Sequence, residues 1–119
     1  MKIKTEIKVY RQGDLCLIPN QRNFKVEIPK NLKKAETNII MQGSGGHPHK
    51  VEDCEIYFKN IDTFIFGYLK ANKNAKVLHI EHGVYTKGKQ LKEGVIPEGI
   101  YQMRHQIEDT HEGMKVVVD

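Results

Sequence analysis

The chain opens on an alternation. Ile3, Ile7 and Val9 share one parity, with Lys2, Lys4, Glu6 and Lys8 on the other, and this two-residue period predicts a strand with one buried face. Arg11, Gln12, Gly13 and Asp14 have the composition of a tight turn. The apolar run at 15–18 then reads as a buried strand stopped by Pro19. Further strands are predicted over residues 36–41, 55–58, 63–69, 75–80, 100–107 and 115–118. The run with Phe64, Phe66 and Tyr68 is the candidate central strand, because aromatic residues suit a pleated, buried surface. Asn72, Lys73 and Asn74 read as a turn, and Pro97 punctuates the segment between Gly94 and Gly99. Pro29 favours one helical turn over residues 29–35, and residues 108–114 can hold another.

Short strands separated by turn signals, without a sustained helical period, predict an all-β fold: a small single-domain barrel or sandwich of about eight short strands, with at most one or two helical turns. The length, 119 residues, suits one domain spanning 1–119. Hydrophobic residues at 39% suffice for one modest core. No apolar run approaches the roughly 20 residues of a membrane span. The polar alternation of the opening also differs from the apolar block of a signal peptide, so the expected address is cytoplasmic.

The net charge of +4 comes mostly from scattered lysines, which fit a solvated surface and weak attraction for anions. A specific nucleic-acid groove would interleave arginines and aromatics on one face, and this pattern argues against one. A small anionic or nucleotide-like ligand agrees better with the charge. Exposed strand edges also permit a homo-oligomer. Cys16 and Cys54 share no CxxC spacing and read as buried small hydrophobes; Cys54, near the histidines, is a secondary candidate for thiolate ligation.

Chemistry concentrates in the histidines. Six are present, and four form two compact groups, His47-Pro48-His49 and His79-Ile80-Glu81-His82. Residues two apart on a strand point to one side, so His47 with His49, and His79 with Glu81, each converge. Gly83 can turn His82 back toward Glu81. Pro48 cannot donate to a ladder, which suits an edge or a loop. Neutral imidazoles with one carboxylate suit a divalent transition metal such as Zn, Mn, Fe or Ni. The expected ligands are His47, His49 and His82. Glu81 would be fourth ligand or general base, with His79 an alternative ligand or the partner of one. His105 reads as structural and His111 as a solvent-exposed turn residue. Arg11, Gln12 and Asp14 read as turn residues, with Asp14 bonding nearby backbone amides.

The His-x-His pair followed by Glu52 and Glu55, with Pro97-Glu98-Gly99 later, partly resembles the metal-binding motifs of cupins. The glutamates stand at unsuitable distances, and the 79–82 cluster has no place in that pattern. A fuller resemblance is to a group of small uncharacterised bacterial and phage-associated β-proteins. It rests on the stretches at 10–14, 46–49, 79–82, 97–101 and 106–108, and so covers nearly the whole chain. This resemblance implies that the two histidine groups act together, without implying a reaction.

Three functions follow from these residues. A metal held with an open position would make bound water a nucleophile, giving a hydrolase of a phosphoester or nucleotide-like substrate. The same residues without metal could work as acid–base pairs in a nuclease or lyase. A non-enzymatic binding or assembly module is the third.

Overall fold

The structure is a computed structural model that describes residues 5–42, 46–60, 64–105 and 114–117. It is all-β, as the alternation predicts. The strands are β1 (Thr5–Lys8), β2 (Tyr10–Gln12), β3 (Leu15–Pro19), β4 (Ile39–Gln42), β5 (Pro48–Phe58), β6 (Ile65–Leu78), β7 (Tyr85–Thr86), β8 (Lys89–Gln90), β9 (Gly99–His105) and β10 (Met114–Val117). A 3-10 turn over Lys92–Gly94 stands between β8 and β9. Strands β1 and β10 form a parallel pair, and the other eight form one antiparallel sheet in the order β4-β5-β6-β9-β3-β2-β7-β8.

Strand β3 lies at the centre of two packing faces. Leu15 and Leu17 enter the main core with Tyr10, Phe66, Leu69, Tyr101 and Met103. Cys16 and Ile18 point the other way, into a smaller cluster with Ile7 and Val9. Burial on both faces is why this segment reads as a continuous apolar run instead of an alternation. Each fully buried aliphatic or aromatic side chain here contributes about 1.5–3 kcal/mol of transfer free energy. Between β2 and β3 only Gly13 and Asp14 form the loop, and Gly13 takes φ +58°, the glycine-first geometry of a two-residue hairpin.

Several local expectations are corrected. Arg11 and Gln12 belong to β2, so the turn is shorter than the four-residue stretch suggested. Residues 72–74 do not separate two strands, because they lie inside the fourteen-residue β6. Residues 29–35 form an irregular segment with one turn and a bridge from Lys34 to Tyr57, not a helical turn. Pro48 opens β5, a strand flanked by β4 and β6, so the His47-Pro48-His49 stretch leads into the sheet interior and not along its edge. Proline fits there because the first residue of a strand can do without its donor. The turn expected within residues 108–114 lies mostly outside the described residues, as does His111.

The β5–β6 hairpin carries the irregularity that positions the site. Glu52 pairs with Lys76 and Cys54 with Ala71, so residues 72–75 stand opposite the single Asp53. Asp53 and Asn74 both take left-handed φ values, 57° and 64°. Such a bulge bends the strand and raises its twist. It also inverts parity: His49 and Val51 are buried before it, and Ile56 after it, although 51 and 56 differ by an odd number. The consequence is visible across the sheet. Gln12, on β2, donates its side-chain amide to Val77 O on β6 at 3.1 Å, although β9 and β3 lie between those strands. The sheet therefore rolls up, and the Gln12 side chain bridges β2 and β6 across the roll. Among the described residues no helix is long and apolar enough to cross a membrane.

Candidate functional site

The rolled sheet brings the start of β5 and the end of β6 beside the β2–β3 turn. His49 and His79 rings lie 4.5 Å apart between centroids, and His79 and His82 lie 4.7 Å apart. His47 approaches His79 edge-on at 6.1 Å. The two histidine groups therefore meet, in a column running from buried His49 to exposed His82.

His79 stands in the middle of the column and is tied at both ring nitrogens. Its Nε2 lies 3.1 Å from His47 O, and its Nδ1 accepts from the Glu81 backbone N–H at 3.0 Å. A carbonyl can only accept, so Nε2 carries the proton and Nδ1 the lone pair. Glu81 Oε1 lies 4.0 Å from His47 Nε2, both side chains being partly exposed. His79, Glu81 and His82 each offer a ligand atom, and these atoms all lie within 4.8 Å of one another. His82 lies against the hairpin turn: a Cβ at position 13 would lie 2.9 Å from His82 Cδ2. Glycine there serves both the left-handed φ and the close approach. Gly46 is different, since φ +86° requires it and nothing lies near it; Gly43 and Gly45 are outside the described residues.

His49 sits at the inner end and is fully buried. Its Nδ1 is 2.9 Å from Gln12 Oε1, and its Nε2 is 3.1 Å from Asp14 Oδ1. Burial pushes the imidazole pKa below its ordinary value, with the Asp14 carboxylate opposing that and His79 and His82 reinforcing it. Gln12, itself buried, donates to Val77 O and to His82 O, both at 3.1 Å. One side chain thus joins β2, β6, His82 and His49.

Of the expected residues, His79, Glu81 and His82 gather at the mouth, with His47 beside Glu81. His49 points inward to partners the sequence reading had not assigned. Asp14 is the main difference: its carboxylate meets a buried histidine. The available signal was Gln12, an amide at a position sharing parity with Tyr10 in a core-facing strand, where a buried polar group must find partners. Cys54 donates its thiol to Glu52 O at 3.3 Å, and burial, helped by Asp53, pushes its pKa up to about 12. Without a metal the thiol is therefore protonated, and it lies beside the bulge at Asp53, outside the group formed by His79, Glu81 and His82. His105 is exposed and rests one face on Phe66, with ring centroids 4.9 Å apart.

A cavity of about 360 Å³ opens beside the column, lined by Gln12, Val77, Glu81, His82, Leu91 and Glu93 among others. Its size fits a small ligand. Its carboxylates are Glu81 and Glu93, which disfavour an anion. Leu91 and the 3-10 turn are held to β6 by Val95, which bridges Lys76, and by Gly94, where a side chain would strike Val77 O.

No curated protein and no solved structure matches this chain. The family described as a domain of unknown function, DUF8820, matches residues 11–106, and the chain belongs to it. That span begins at the residue before Gln12 and ends beyond β9, so it contains every side chain of the column.

Proposed function

We propose that this member of the DUF8820 family binds a divalent transition metal at the mouth of its histidine column and uses it to hydrolyse a small phosphoester or nucleotide-like substrate. The observation that carries the reading is the convergence of His79, Glu81 and His82 ligand atoms within 4.8 Å. His79 is suited to ligation because its Nε2–H already donates to the His47 carbonyl, the outer bond that commonly orients a metal-bound imidazole. Its Nδ1 exchanges the Glu81 N–H for the metal. His47, near Glu81, supplies a fourth donor or orients the carboxylate.

A metal with three or four protein ligands and one open position lowers the pKa of bound water toward neutrality. Glu81 at the cavity wall is placed to act on that proton if it is not itself a ligand. The metal supplies the positive charge that the cavity wall lacks. Glu81 and Glu93 disfavour excess negative charge, so a monoanionic phosphodiester fits better than a dianionic monoester.

Isothermal titration of chelator-treated protein with Zn²⁺ and Mn²⁺ tests the metal. The expected result is stoichiometric binding that His82→Ala and Glu81→Gln each weaken by about tenfold or more. Absence of binding in the wild type would sink the proposal. A chromogenic phosphodiester turned over by the metal-loaded protein, and not by Glu81→Gln, tests the reaction.

A further inference from the structure

The inner end of the column poses a separate problem. Gln12 is fixed in orientation because its nitrogen faces two carbonyl oxygens, Val77 O and His82 O, each at 3.1 Å. Rotating the amide by half a turn would set oxygen against oxygen. Its Oε1 is therefore the atom facing His49 Nδ1 at 2.9 Å, and an amide oxygen only accepts. His49 Nδ1 must carry a proton. In the neutral ring Nε2 then bears the lone pair, and it points at a carboxylate oxygen 3.1 Å away. Two acceptors face one another at hydrogen-bond distance with one of them fully buried. Something positive belongs between or beside them.

We infer that His49 Nε2 and Asp14 Oδ1 are the protein ligands of a second, inner divalent-cation position, with Gln12 as the positioning residue that fixes the histidine tautomer. A ligating imidazole whose other nitrogen donates to a neutral oxygen is the usual outer-shell arrangement at metal centres. One nitrogen and one carboxylate oxygen suit Zn²⁺, Mn²⁺ or Fe²⁺. Asp14 has a side chain 38% exposed, so a cation reaches the pair from solvent and waters complete its coordination. The His79 ring lies 4.5 Å from that of His49 and 4.7 Å from that of His82, so the two positions are neighbours along one column. The inner site is derived from tautomer geometry alone and stands or falls independently of the outer one.

Long-range ¹H–¹⁵N spectra of ¹⁵N-labelled protein read each histidine nitrogen separately. In metal-free protein at pH 8, His49 is expected to show a protonated Nδ1 and a bare Nε2. Zn²⁺ should then move the His49 Nε2 signal, and Asp14→Asn should abolish that movement while those at His79 and His82 persist. Gln12→Met should mix the two His49 tautomers. A protonated Nε2 at His49 that excess Zn²⁺ leaves unmoved overturns the inference, and this needs only the wild type. An Asp14→Asn response equal to the wild type also overturns it. Movement at His49 without movement at His79 or His82 supports the inner position and counts against the outer one.

Discussion

Gln12 shows how much one side chain can govern. It satisfies Val77 O, His82 O and His49 Nδ1 together, so its removal leaves a buried donor and two carbonyls short of partners. Gln12→Ala should cost about 2–4 kcal/mol, read as a lower urea midpoint, because each orphaned buried group costs about 1–3 kcal/mol and some regain water. Gly13→Ala meets two obstacles, a φ of +58° and the His82 ring. It should lose about 1–2 kcal/mol and weaken metal binding by displacing His82. The pH dependence follows from His49. Burial lowers its pKa in the folded chain below the ordinary 6.5, so below that pH the unfolded chain binds more protons. Its contribution to stability is therefore complete above about pH 6.5 and declines as pH falls through and below it. The thermal midpoint of metal-free protein should drop between pH 7 and pH 5, and His49→Gln should flatten that drop; a midpoint that rises on acidification would contradict the assignment. At this scale the sequence was half legible. The histidines announced themselves by type and spacing, whereas Asp14 looked like an ordinary turn residue, because its partner lies 35 positions away.

Most of the longer strands were readable, β2 read as a turn, β7 and β8 left no signal, and strand registers were not legible. Parity arguments assume an unbroken ladder, and β5 breaks it at Asp53, where one residue faces four. That bulge sets His49 and Val51 on the core side, and it merges the two strands predicted around residues 72–74 into β6. Nothing in Asn72-Lys73-Asn74 distinguishes a turn from a bulge, since both want residues tolerant of left-handed φ. Deleting Asp53 should rotate the arm before it by one residue and turn His49 and Val51 outward. The expected outcome is several kcal/mol of destabilisation, roughly the burial of Val51 plus the lost Gln12 bond, with His49 newly reactive toward diethylpyrocarbonate. Protection of His49 in that deletion would mean that the bulge does not set the register.

For the molecule as a whole, the all-β class followed from alternation and turn spacing, and the structure has that class. What pattern could not supply was the roll that joins β2 to β6, because it depends on a bend and a long-range hydrogen bond instead of local propensity. The roll makes the histidine column possible and also ties it to global stability. Metal that binds only the folded chain should stabilise it by about 2.7 kcal/mol at a hundredfold excess over Kd. For a domain of this size that is roughly a 10 °C rise in Tm, reversed by chelator. An unchanged Tm at saturating Zn²⁺ would separate the column from metal binding.

The most direct test of the central claim is an anomalous difference map from crystals grown with Zn²⁺ and measured on both sides of the zinc absorption edge. The account predicts a peak bonded to His79, Glu81 and His82 at the cavity mouth. A map with no peak at those three residues, from well-ordered crystals in saturating Zn²⁺, would contradict it.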